Sequence, residues 1–123
     1  MKEVKTKKAP AAIGPYSQGV LVGNILFVSG QIPLNFRGQL IQGSIRKQTR
    51  AAMRNLKGIL NEAGFGFEKV AKTTIYLTDV GDFEMVNDIY KSYFSGTFPA
   101  RETVVVKELP RGAKLEISMI AVK

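Results

Sequence analysis

The stretch "VAKTTIYLTDVGDFEMVNDIYKSYFSGTFPARETVVV", residues 70–106, passes from strand-like alternation to helical spacing and back to a valine-rich strand. In its first part Val70, Lys72, Thr74 and Tyr76 alternate with Ala71, Thr73, Ile75 and Leu77, the two-residue period of a strand with two unlike faces. Asp82 stands where an N-cap belongs, and Phe83, Val86, Ile89, Tyr90, Tyr93 and Phe94 then recur at three and four along one predicted inner helix face. Gly96 and Pro99 stop that helix before Arg101, where the second strand begins. Strand, helix and strand in this order form a crossover unit, the building block of sheets covered by helices.

The flanking sequence extends the same pattern. "QGSIRKQTRAAMRNLKGILNEAG", residues 42–64, places Ile45, Thr49, Ala52, Met53, Leu56, Ile59, Leu60 and Ala63 on one stripe, with Ser44 as N-cap and Gly64 as the stop. "NILFVSG" predicts a strand over Ile25 to Ser29, ended by Gly30 and Pro33 and entered through a bend at Gly23 and Asn24. "GPYSQGV", residues 14–20, reads as a turn feeding an earlier strand, and a further short strand is expected near Val4. The expected fold class is therefore α+β, a single mixed β-sheet with two helices packed on one face. Two helices cannot cover both faces, and Val104, Val106, Ile117 and Met119 suggest apolar residues on each. The uncovered face is expected to pack against other copies of the chain in a homo-oligomer.

At 123 residues the chain fits one domain, residues 1–123, and its 45% hydrophobic and 23% charged composition is that of a folded globular protein. It contains neither cysteine nor histidine, which excludes thiolate nucleophiles, Cys or His zinc sites and Ser-His-Asp triads built from one chain. The start, "MKEVKTKKAP", lacks the apolar core of a secretory signal, and the longest apolar run, Val20 to Val28, is broken and too short to span a bilayer. No membrane association and a cytoplasmic location are the expectation. The formal charge of +8 attracts anions of any size, from small carboxylates to nucleic acid.

Most motifs have plain structural readings. Gly64 and Gly66 follow a helix and lack the third glycine of a dinucleotide loop. Asp79, Asp82, Glu84 and Asp88 gather where a helix begins, which capping and the macrodipole explain without a metal. Lys47, Arg50, Arg54 and Lys57, with Arg46 beside them, line one helix face, read as a solvated face with phosphate binding as the alternative, since no aromatic residue for stacking lies between Gln42 and Ala63. Ser29 reads as a turn serine, whereas Gly30 offers an unobstructed backbone N–H at a strand end. Tyr16 and Asn87 are unremarkable alone. Arg101 and Glu116 interrupt apolar strands, either as a cross-strand salt bridge or as a site in which an arginine fork grips a carboxylate and a glutamate activates water. Alternation places Arg101 and Thr103 on the same side of their strand.

Four blocks, "APAAIGPYSQGV", "VSGQIP", "KTTIYLTDVGDFEMVNDIYKSYF" and "FPARETVVVKELPRGAKLEISMIAV", resemble the reactive intermediate deaminase family, also called YjgF-like or Rid. The resemblance covers nearly the whole chain. It implies a bacterial chorismate mutase-like fold assembled as a homotrimer with clefts at the subunit interfaces. It also implies hydrolysis of 2-iminobutanoate or 2-iminopropanoate to the 2-oxo acid and ammonia without a cofactor. By position, Arg101 would hold the substrate carboxylate with the backbone at Thr103 and Glu102. Glu116 would activate water, and Tyr16, Ser29, Gly30 and Asn87 would line the cleft, some of them from the neighbouring subunit. The family commonly has cysteine where this chain has Thr103, which is tolerable if that position contributes its backbone N–H. A regulatory or RNA-acting role is ascribed to some members and is the alternative to deamination.

Overall fold

The computed structural model describes all residues from Met1 to Lys123. Six strands, β1 (Lys2–Val4), β2 (Gly19–Val22), β3 (Ile25–Gln31), β4 (Val70–Leu77), β5 (Ala100–Val105) and β6 (Leu115–Val122), form one sheet in the order β1-β2-β3-β6-β4-β5. Only β4 and β5 pair in parallel, and every other pair is antiparallel, so the sheet is mixed as expected. Two helices, α1 (Ile45–Glu62) and α2 (Phe83–Lys91), pack together on one face. Helix α2 is the crossover that makes β4 and β5 parallel; α1 carries the chain from β3 to β4 around β6, which slots between them.

The expected stripe of α1 is the centre of the core. Ala52, Met53, Leu56, Ile59 and Leu60 are wholly buried against Leu26, Ile75, Leu115 and Ile117 of the sheet. Each such large apolar side chain contributes roughly 1.5–3 kcal/mol by leaving water. Ser44 caps the helix by accepting from the Lys47 N–H at 3.3 Å, and Gly64 follows the end at φ +80°, the left-handed conformation that turns the chain away. Gly58, inside the helix, is a close-approach glycine: the Lys8 carbonyl carbon would lie 2.9 Å from an added Cβ.

Four local details differ from the sequence reading. Strand β3 continues through Gly30 to Gln31 because a register shift against β6 between Val28 and Gln31 absorbs the glycine instead of ending the strand. A second shift between Val70 and Lys72 moves Val70 into the buried set with Thr73, Ile75 and Leu77. At α2 the Asp82 side chain makes no capping bond; Asp79 accepts from the Gly81 N–H at 2.8 Å instead, in a short 3-10 turn that leads into the helix. The helix ends at Lys91, earlier than expected, and Tyr93 and Phe94 pack on Phe67 from the loop beyond it.

The face opposite the helices carries Phe27 beside Ile120, Ile25 beside Val122, and Tyr76 beside Val104. Phe27, Val22, Val104 and Val122 are exposed there, so an apolar sheet face stands uncovered in the single chain. No helix is long and apolar enough to cross a membrane.

A candidate active site divided between two faces

Alternation along β6 sends Leu115, Ile117, Met119 and Ala121 into the core and turns Glu116 to the uncovered face. There it lines a cavity of about 450 Å³ with Tyr16, Gln18, Gly30, Pro110 and Arg111. Gly30 makes room for its present position: a Cβ there would lie 2.8 Å from the Glu116 Cδ and would push the carboxylate aside. Burial raises the Glu116 carboxyl above the usual carboxylate range, and no ion pair opposes the shift, since the one salt bridge of the chain joins Lys72 to Glu102.

Besides Tyr16, Gly30 and Glu116, the walls of this cavity include Gln18, Pro110 and Arg111, which sequence reading passed over. Buried Gln18 accepts from the Thr6 N–H at 2.7 Å and donates to the Pro10 carbonyl at 2.7 Å, pinning the N-terminal segment alongside the pocket. Tyr16 projects from this segment and is half exposed. On the far side Arg111 has φ 63°, the only left-handed residue of the chain that is not glycine. The signals available were the polar Gln18 inside "PYSQGV" and the arginine inside the turn "LPRGAK". Neither says which side of the chain the residue will face.

Arg101 lies elsewhere. On β5 it pairs with Thr73, a core-facing residue, so both Arg101 and Thr103 face the helix side, on the same side of their strand as expected. Arg101 borders a shallow hollow of about 310 Å³ with Asn87, Tyr90, Lys91, Phe98 and Pro99. Strand β5 is the sheet edge, and the Val106 N–H donates to Leu77, so by alternation the N–H of Thr103 turns toward the open side. The guanidinium borders this hollow, and the Thr103 N–H lies two residues further along the same open edge, a suitable pair for a carboxylate reaching along it.

The salt-bridge alternative for Arg101 and Glu116 is removed: their strands are separated by β4 and their side chains leave opposite faces of the sheet. Tyr16, Gly30 and Glu116 line one cavity, and Asn87 and Arg101 border the hollow on the other face, with Thr103 two residues beyond Arg101 on the same side of β5. Ser29 is committed to structure, its hydroxyl donating to the Ser17 carbonyl at 2.6 Å. The Glu102 side chain points away from Arg101; its carboxylate accepts from Thr74 at 2.5 Å and pairs with Lys72 at 3.1 Å, which lowers its pKa, the Thr74 bond most. Thr103 Oγ1 is buried without a partner. Thr103→Val should therefore raise stability by about 1 kcal/mol in a thermal melt.

The cationic row on α1 is partly occupied. Arg54 donates to the Leu34 carbonyl at 3.2 Å and stacks at 4.8 Å over Phe36, a ring supplied by the preceding loop and invisible from the helix sequence alone. No cluster of acids forms a metal cage near Asp79.

The family model described as Endoribonuclease L-PSP matches residues 6–123. The chain belongs to this family. It is the YjgF-like, or Rid, family that the four sequence blocks resemble. Among its relatives, mouse 2-iminobutanoate/2-iminopropanoate deaminase is 49% identical over 99% of this chain and 91% of its own length. The human protein of the same name is 46% identical over 98% and 88%. A solved structure of a putative endoribonuclease from Thermotoga maritima superposes with a TM-score of 0.97 at 48% identity, covering 100% of this chain and 98% of that one. Escherichia coli TdcF with bound serine superposes at 0.96 with 40% identity, covering 100% and 99%. The α+β architecture of one mixed sheet and two helices is thus the architecture of these family structures.

Proposed function

We propose that this chain, acting as one domain over residues 1–123, is a cytoplasmic hydrolase that deaminates 2-iminobutanoate and 2-iminopropanoate to 2-oxo acids and ammonia. The observation that carries the reading is the placement of Arg101 and Glu116 in a chain so similar to deaminases of that name. We further propose a homotrimer of chorismate mutase-like subunits. Its neighbours cover the apolar sheet face, and each brings the Arg101 half-site of one copy against the Glu116 half-site of the next. Two half-sites that one chain holds on opposite faces of its sheet call for such a partner. The serine bound to TdcF, itself a small amino acid with a carboxylate, fits the same reading.

In the closed cleft the Arg101 fork and the Thr103 N–H hold the substrate carboxylate, while the Glu102 backbone, which the same alternation turns toward β4, is left out of the grip. Tyr16, Gly30, Ser29 and Asn87 shape the enclosure, Ser29 through its hold on the segment before β2. A protonated imine is already electrophilic, so water bound to the Glu116 carboxylate attacks its carbon while the carboxylate takes the water's proton. Glu116 then returns that proton to nitrogen, and as the C–N bond breaks its carboxylate takes the hydroxyl proton so that the C=O bond forms. The 2-oxo acid leaves with ammonia, which carries off the proton taken from the hydroxyl as ammonium, with atoms and charge balanced and no external cofactor. The elevated pKa of Glu116 suits both roles. The direct test is to generate 2-iminobutanoate in situ with a dehydratase and follow oxo-acid formation. Acceleration by the purified protein supports the reading, and a rate equal to the uncatalysed one removes it.

A further inference from the structure

The guanidinium of Arg101 is not held by any carboxylate of its own chain. It lies instead over two aromatic rings of α2, with Cζ 5.1 Å from the centroid of Tyr90 and 5.9 Å from that of Phe83. Tyr90 is itself fixed: it is buried, and its hydroxyl donates at 2.9 Å to Thr73 Oγ1, the residue directly beside Arg101 across β4 and β5. Burial raises the Tyr90 phenol, so it stays protonated and remains a donor. Hydroxyl, ring and guanidinium thus form a short brace that begins and ends at one register position of the sheet.

A carboxylate partner would neutralise Arg101 and compete with an anionic ligand, whereas an aromatic face orients the cation and leaves its N–H donors free. We infer that Tyr90 is the positioning residue of the carboxylate grip, with Phe83 as the second ring, and that the pair keeps the Arg101 fork aimed and unneutralised before substrate arrives. The inference rests on the proposed role of Arg101 in deamination. Its consequence is that removing the Tyr90 ring weakens substrate capture without touching the chemical step.

The test compares Tyr90→Leu, which deletes the ring, with Tyr90→Phe, which keeps the ring and deletes only the hydroxyl bond. Circular dichroism and a thermal melt accompany the kinetics. With 2-iminobutanoate, Tyr90→Leu should raise KM by about tenfold while kcat stays within about twofold, and Tyr90→Phe should retain a KM within about threefold of the parent. The inhibition constant of 2-oxobutanoate, which shares the carboxylate, should rise in step with KM. In an Arg101→Ala background Tyr90→Leu should have no further effect on KM. Should Tyr90→Leu fail to fold, Phe83→Leu carries the same expectation at about threefold in KM. A parent-like KM in the ring-deleted variant, or equal damage in Tyr90→Phe, overturns the inference. Full activity in Arg101→Ala would instead overturn the carboxylate grip itself, so the two failures are distinguishable.

Discussion

Arg101→Ala is expected to lower kcat/KM for 2-iminobutanoate by about a thousandfold, mostly through KM. The guanidinium is the fork of its hollow; Lys91 at the rim supplies a point charge but no planar pair of donors, so some attraction survives. Arg101→Lys restores charge without the fork and should recover only about a tenth of the loss in free energy terms at a bidentate site. No hydrogen bond or ion pair of the fold uses the Arg101 side chain, so both variants should melt near the parent. Steady-state kinetics with imine generated in situ, read beside melting temperatures, check this. A catalytic loss accompanied by an equal loss of structure would point to a packing role instead.

Glu116→Gln should leave KM nearly unchanged and reduce kcat by about a thousandfold, because the amide still hydrogen-bonds water but cannot take its proton. Stability should move the other way. Burial holds the folded-state pKa of Glu116 above its unfolded value, so the folded chain binds that proton more tightly. The associated stability is complete below the unfolded pKa and is lost as pH rises through the raised folded one. At a pH above that raised pKa the parent carries an unfavourable buried charge that Glu116→Gln lacks, and there the variant should melt higher. The parent's rate should rise with pH along a limb lying above the ordinary carboxylate range, and Glu116→Gln should lack that limb. A more stable and nearly inactive variant separates a catalytic group from a structural one.

The sheet and both helices were legible because they rest on periodicity: the α1 stripe from Thr49 to Leu60 and the alternation of Thr73, Ile75 and Leu77 are one-dimensional patterns that burial reproduces. The shifts at Gly30 and Val70 were not, because a bulge is decided by how two strands meet and not by either strand alone. The site was legible as a set of residues and illegible as an arrangement. Nothing in "ARETVVV" and "KLEISMI" reveals that β4 lies between the two strands, and that insertion sends Arg101 and Glu116 to opposite faces. Ser29 and Glu102 matched the family pattern by position, yet their side chains are engaged with Ser17 and with Thr74 and Lys72. Gln18 and Arg111 shape the Glu116 cavity through a folded-back N-terminal segment and a strained turn, features that sequence spacing does not encode.

The division of the site between neighbouring copies can be measured by mixing. Arg101→Ala and Glu116→Gln, each nearly inactive alone, are unfolded together, refolded as mixed oligomers and assayed for 2-iminobutanoate hydrolysis. In any closed ring with random assortment, about a quarter of the interfaces join an intact Arg101 to an intact Glu116, so about a quarter of the parent activity should return. Activity no greater than the sum of the two separate variants, in oligomers shown to be mixed, would contradict a site shared between copies.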